Sequence, residues 1–184
     1  MVVEHGPWKI EESTRKYKSP WIEVYEDKVI QPNGDPGIFS TVKMKQGVCV
    51  LPIDDNGYVY LAKEFQYAVG KDCINASCGG IEDGEVPIDA AKRELKEELG
   101  IEANEWTKLG VVNPFTSQIN APMHLFLVKS LNFTKPSPDE TEQIEMVKVK
   151  FEKAVEMVMD DKIHQGPSAI IILKAKEYLN KNNL

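Results

Sequence analysis

The chain has 184 residues, with 22 Lys and Arg against 29 Asp and Glu, a net charge of −7. That length suits one domain with an appendage, and 42% hydrophobic with 28% charged residues is ordinary for a globular protein. The acidic balance argues against nucleic acid or an anionic membrane as a partner.

The first residues, MVVEHGPWKI, contain no basic stretch followed by an apolar core, so no secretion leader is expected. Residues 21–30 (WIEVYEDKVI) are rich in strand formers, 32–37 (PNGDPG) are a dense turn signal, and 38–44 read as a returning strand. The first 44 residues thus form a hairpin-like extension with few apolar positions. A lone two-stranded hairpin is marginal, so this extension is expected to pack on the main domain or on a second subunit. Residues 45–184 are expected to form that main domain. Residues 48–53 and 58–62 flank the turn Asp54-Asp55-Asn56-Gly57 and read as a second hairpin.

Next comes GGIEDGEVPIDAAKRELKEELGI, residues 79–101. Pro87 is suited to open a helix, because its missing N–H costs nothing in the first turn. Gly100 is suited to close it in the left-handed conformation. Between them Ile88, Ala91, Leu95 and Leu99 recur at helical spacing and make an apolar stripe. At about 100° per residue, Glu94, Glu97 and Glu98 crowd one border of that stripe. Like charges at this spacing repel, and the C-terminal half of a helix disfavours anions. A hard divalent cation removes both objections, since Mg²⁺ takes oxygen ligands and shares itself with substrate phosphates. A solvated acidic face is the bland alternative. Arg93, beside these acids, could pair with Glu85 or Glu97 through its fork. Gly79 and Gly80 let the backbone approach a phosphate or metal closely.

Further on, 106–112 and 123–128 read as strands around a loop containing Pro114. Residues 144–151 read as a strand and 152–160 as a helix. Gly166-Pro167-Ser168 introduces a last helix to about residue 180, with Ser168 a plausible N-cap. AIIIL at 169–173 is too short to span a bilayer. Cys49, Cys73 and Cys78 are odd in number and lack metal-ligand spacing, so they read as free thiols in a reducing compartment, the cytoplasm. Strands and helices intermingle, which indicates an α/β or α+β sandwich.

The pattern Gly79, five residues, Glu85, seven residues, Arg93-Glu94-Leu95-x-Glu97-Glu98-x-Gly100-Ile101 is a complete Nudix box. The chain resembles the Nudix hydrolases, and more narrowly their ADP-ribose pyrophosphatase and nucleoside diphosphate sugar hydrolase branch. The resemblance implies a Nudix α/β/α sandwich, a mixed sheet between helices, preceded by an N-terminal antiparallel β-strand extension. It implies dependence on Mg²⁺, for which Mn²⁺ can substitute, and a homodimer in which the N-terminal strands help build the substrate site. By position, Glu94 and Glu98 match the main metal ligands, Glu97 an additional one, and Cys78 a ligand through its backbone carbonyl. Asp139-Glu140-Thr141-Glu142-Gln143 matches the loop that supplies a catalytic glutamate, Glu140 before Glu142; Glu94 and Arg93 complete the catalytic candidates. Gln66, Tyr67, Gly79 and Gly80 are the substrate-binding candidates. Gln66 stands where relatives often carry arginine, Ser77-Cys78 where Pro-Ala is usual, Asn75 where glutamate is common, and Thr116 where a second proline is frequent.

The activity implied is hydrolysis of the pyrophosphate bond of a nucleoside diphosphate sugar, ADP-ribose giving AMP and ribose 5-phosphate. GDP-mannose or a dinucleoside polyphosphate is the alternative substrate. A non-catalytic nucleotide-sugar sensor is the alternative from another class, disfavoured because every box acid is present and no basic appendage is. A small-molecule nucleotide sugar is therefore the expected partner.

Overall fold

The computed structural model describes residues 2–139, 141 and 143–182. In chain order the elements are β1 (Val3–His5), β2 (Trp8–Lys18), β3 (Ile22–Ile30), β4 (Pro36–Met44), β5 (Gly47–Pro52), β6 (Tyr58–Gln66), β7 (Lys71–Asn75), β8 (Ser77–Gly80), α1 (Pro87–Leu99), β9 (Ile101–Val112), β10 (Ile119–Asn120), β11 (Met123–Phe133), β12 (Glu145–Lys150), α2 (Phe151–Met159) and α3 (Gly166–Lys181). They fall into two compact units, Met1–Lys45 with Asn113–Pro122, and Gln46–Val112 with Met123–Leu184.

The first unit is a five-stranded sheet in the order β1-β2-β3-β4-β10, antiparallel except for the β10–β4 pair. The expected hairpin is its centre. What the hydrophobic pattern did not reveal is β2, WKIEESTRKYK, whose exposed face is charged. It aligns on β3 through cross-strand ion pairs: Lys28 to Glu12 at 2.6 Å, Lys16 to Glu26 at 2.9 Å, and Arg15 to Glu23 at 3.1 Å. Opposite charges facing one another across strands favour that pairing.

The second unit is built on the sheet β8-β5-β11-β9, in which β5 and β11 run parallel and the other pairs antiparallel. Every residue of β5 is buried, as expected for a strand covered on both faces. Val48, Val50, Phe126 and Val128 face α1, where Ala91, Leu95 and Leu99 meet them. Cys49, Leu51, Leu125 and Leu127 face the other way, onto Ala154 of α2 and Ile171, Ile172 and Ala175 of α3. This is the sandwich of a mixed sheet between helices. The sheet β12-β6-β7 adjoins it.

Three local expectations are corrected. The second hairpin forms only its turn: Ile53 and Val59 make an isolated bridge, then β5 and β6 diverge into different sheets. Phe151 ends no strand; it begins α2. Ser168 does not cap α3, which starts after Gln165 without a side-chain cap. Its buried hydroxyl instead accepts the Ala76 N–H at 2.9 Å and donates to Gln165 Oε1. That contact ties the start of α3 to the residue preceding β8, so the helix anchors the strand that carries Gly79 and Gly80.

Candidate active site

Helix α1 forms as its sequence dictates. Pro87 occupies the first turn and Gly100 ends the helix at φ 62°, its N–H bonding Leu95 O and Lys96 O. Any side chain at Gly100 would be strained at that φ, and a Cβ there would lie 2.4 Å from Thr134 O. The close approach has a use. Thr134 N donates to Gly100 O at 2.6 Å and Ser137 N to Glu97 O at 2.9 Å. The segment leading to Asp139 is therefore fastened to the C-terminal end of the helix.

The helix presents its carboxylates around one guanidinium. Arg93 donates from Nε to Glu85 Oε1 and from Nη2 to Glu85 Oε2, both at 3.0 Å, a bidentate fork. Its Nη1 reaches Glu94 Oε1 at 2.8 Å and Glu97 Oε2 at 3.1 Å, and Nη2 also reaches Gly80 O at 2.9 Å. Glu85 further accepts the Glu82 N–H at 3.0 Å. The Arg93 hydrogen bonds hold the Glu85 carboxyl below the ordinary glutamate range. Arg93 itself is raised above its ordinary value, chiefly by Glu85, and stays charged at any working pH.

The fit to a cation rests on Gly79. A Cβ built there would fall 1.9 Å from the Glu94 carboxyl carbon and 2.1 and 2.2 Å from its oxygens. Only glycine lets this carboxylate lie against the β8 backbone. Glu98 turns its Oε2 away from solvent, and its charge acts on the Cys78 thiol, which Cys49 and burial push well above the ordinary thiol range. Glu94, Glu97, Glu98 and the Cys78 carbonyl are thus all oxygen donors on α1 and β8, the donor chemistry of Mg²⁺ or Mn²⁺. Among the described residues no three acidic, histidine or cysteine side chains form a finished metal cage. Mg²⁺ commonly takes one or two carboxylates and fills its remaining positions with water and substrate oxygens.

The structure therefore brings Glu85, Arg93, Glu94, Glu97 and Gly80 into one bonded cluster, with Gly79 packed against Glu94 and the Glu98 charge acting on Cys78. Gln66 and Tyr67 stand elsewhere, at the end of β6. Gln66 donates to Glu64 on its own strand at 2.8 Å. Exposed Tyr67 lines a cleft of about 600 Å³ together with Lys63, Phe65, Thr141 and Gln143. The cleft thus joins Tyr67 to the acidic loop. Glu140 and Glu142 lie outside the described residues. Sequence reasoning missed the roles of Ser168 and Gln165, which hold β8 from behind; the signal was a polar pair at the start of an apolar helix.

A carboxyl whose pKa falls on folding adds stability that is full above its unfolded value and is lost as pH drops through the folded value. Glu85 is such a group. Glu85→Gln is expected to lower stability by about 1–3 kcal/mol at pH 7, the range for hydrogen bonds to charged groups. The gap to the parent should close as pH falls below about 4, in the glutamate range. Urea unfolding of both proteins from pH 7 to 3 measures it; parallel stability curves would contradict the clamp.

Comparison with known proteins identifies the family of this chain. The NUDIX domain family matches residues 43–169, and the nucleoside diphosphate sugar hydrolase N-terminal domain family matches residues 8–42. An ADP-ribose pyrophosphatase of Bacillus subtilis is 30% identical over 86% of this chain and 88% of its own. A methanol dehydrogenase activator of Bacillus methanolicus is 24% identical over 82% of this chain and 83% of its own. The crystal structure of an ADP compounds hydrolase superposes with a TM-score of 0.83 at 21% identity, covering 94% of each chain, and so shares the fold. With its complete box folded into an Arg93-centred carboxylate cluster on α1, the chain belongs to the Nudix hydrolases and carries the N-terminal domain of the nucleoside diphosphate sugar hydrolases.

Proposed function

We propose that this enzyme hydrolyses the pyrophosphate bond of nucleoside diphosphate sugars with Mg²⁺, favouring ADP-ribose. The observation that carries the reading is the Glu94 carboxylate seated against Gly79 and gathered with Glu97 by Arg93. The 30% identical Bacillus subtilis relative bears the name ADP-ribose pyrophosphatase, which supports the choice of substrate.

Glu94, Glu97, Glu98 and the Cys78 carbonyl would hold the cation. A bound divalent ion neutralises the diphosphate and lowers the pKa of a coordinated water. Arg93 holds Glu94 and Glu97 in place, and with Gly80 O also bound it fixes the loop to the helix. Glu140, ahead of Glu142, takes the proton of the attacking water. The water oxygen bonds to one phosphorus, the P–O–P bridge breaks, and ADP-ribose yields AMP and ribose 5-phosphate. Most of the acceleration comes from positioning and charge stabilisation. Gln66 brings no charge to the phosphates, and Thr116 replaces a frequent proline, so the specificity is broader than that of a strict ADP-ribose enzyme. The unpaired state of Cys49, Cys73 and Cys78 is compatible with the cytoplasm.

The protein is further read as a homodimer joined through its N-terminal strands. Exposed Trp21, Ile38, Tyr17 and Met44 give that sheet apolar surface, and aromatics are enriched at interface cores. Light scattering at micromolar concentration should give twice the chain mass; a monomer there would sink this assignment.

A panel of nucleotide sugars with Mg²⁺, products resolved by chromatography, tests the activity. ADP-ribose and at least one other compound should turn over with kcat/KM values within about 10³-fold of each other, a gap that binding differences alone can produce. Glu98→Gln should lose roughly 10²-fold or more in kcat. Glu140→Gln and Glu142→Gln, compared at saturating Mg²⁺, rank the two loop acids; if neither loses about tenfold, the base is Glu94. Turnover persisting in excess EDTA after metal stripping would contradict the mechanism.

A further inference from the structure

Strand β8 carries the Cys78 carbonyl, assigned above to the cation, yet its own sheet holds it on one side only. It is four residues long and stands at the edge of the sheet β8-β5-β11-β9, where Ser77, Cys78, Gly79 and Gly80 pair with β5. Ala76, just before it, is where the chain crosses from the sheet β12-β6-β7 into this one, and it lies in neither ladder. Ala76 is only 1% exposed. A buried backbone N–H at such a crossing is costly to leave unbonded.

The start of α3 supplies the missing contacts. Gln165 precedes the helix and Ser168 stands three positions on, a spacing that brings side chains together at a helix start. The buried Ser168 hydroxyl accepts the Ala76 N–H at 2.9 Å and donates to Gln165 Oε1. That donation commits the hydroxyl proton to Gln165 and leaves an oxygen lone pair for Ala76. The same Gln165 oxygen accepts the Cys78 S–H at 3.7 Å. Alanine, the usual residue at that position, offers no such donor. A thiol is a weak donor, so the Ala76 bond carries the greater share. Two side chains of one helix start thus grip residues 76 and 78 from the α3 face, while Glu94 lies against Gly79 on the α1 face.

We propose that Ser168 and Gln165 are positioning residues for the cation, acting through Ala76 and Cys78 on the Cys78 carbonyl. The proposal rests on the metal-dependent reading above. A small divalent ion holds its oxygen ligands to within about 0.2 Å. A short edge strand released at its entry has only one ladder to keep its carbonyl within that tolerance. Neither side chain is offered as a ligand; their effect on the ion passes through the strand backbone. Contacts of this kind behind a metal ligand commonly govern affinity by about 10- to 100-fold.

The test titrates Mn²⁺ calorimetrically into the metal-free full chain, with circular dichroism checking that each variant is folded at the titration temperature. Ser168→Ala removes the hydroxyl at nearly constant size and should raise the Mn²⁺ Kd by about tenfold. Gln165→Leu, at a half-buried position, should weaken binding in the same direction, because the Ser168 hydroxyl loses the acceptor that orients it. Gln165→Glu keeps an acceptor there and should bind at least as tightly as the parent. Ile172→Val, a core change in the same helix, controls for stability: it should lower the unfolding temperature and leave the Kd unchanged. Folded Ser168→Ala and Gln165→Leu that bind Mn²⁺ as tightly as the parent would overturn the proposal. So would a loss in Ile172→Val as large as in Ser168→Ala, which would make the effect one of stability. A parent that binds no Mn²⁺ would remove the cation site itself and the metal-dependent reading with it, so the two failures are separate results.

Discussion

One guanidinium holds the active end of this molecule together. Arg93 makes five hydrogen bonds, two to Glu85, one each to Glu94, Glu97 and Gly80. Without it, three carboxylates on the C-terminal half of a helix repel one another and oppose the helix dipole. With it, two of them point the same way and the Gly79–Gly80 strand end is tied to the helix. An arginine suits this place because its planar fork can satisfy several acceptors at once, where the point charge of a lysine could not.

The rest of the second unit keeps that cluster in register. Leu95 and Leu99 seat α1 on the sheet, and Gly100 ends it where Thr134 and Ser137 can bond the last turn. Behind the sheet, the Ser168 hydroxyl accepts the Ala76 N–H and fixes the entry to β8. Gly79 then lets Glu94 reach the strand backbone at a distance no other residue permits. Each of these contacts acts on the position of an oxygen, which is what catalysis by positioning and charge stabilisation requires.

Much of this was legible in the residues. Pro87, Gly100 and the Ile88-Ala91-Leu95-Leu99 stripe marked the helix, and the spacing of Glu94, Glu97 and Glu98 marked its acidic border. The pairing of Arg93 was readable because i,i+4 neighbours meet on a helix. The losses have physical causes. Strand β2 is held by ion pairs with a partner strand, so no apolar alternation announced it. The divergence of β5 and β6 is decided by what each strand packs against, and a turn sequence between them carries no such information. Ser168 stood in a good capping position but was drawn instead to the Ala76 N–H, a partner 92 residues away in sequence.

The central claim is that the carboxylates of α1, gathered by Arg93 against Gly79, hold a divalent cation. Electron paramagnetic resonance of Mn²⁺ titrated into the metal-free protein reads this most directly, since bound ion leaves the free-ion signal. The account predicts saturable binding to the parent that weakens by about tenfold or more in Glu98→Gln, the size expected when one ligand is lost from such a site. Binding of equal strength in the parent and in Glu98→Gln would contradict it.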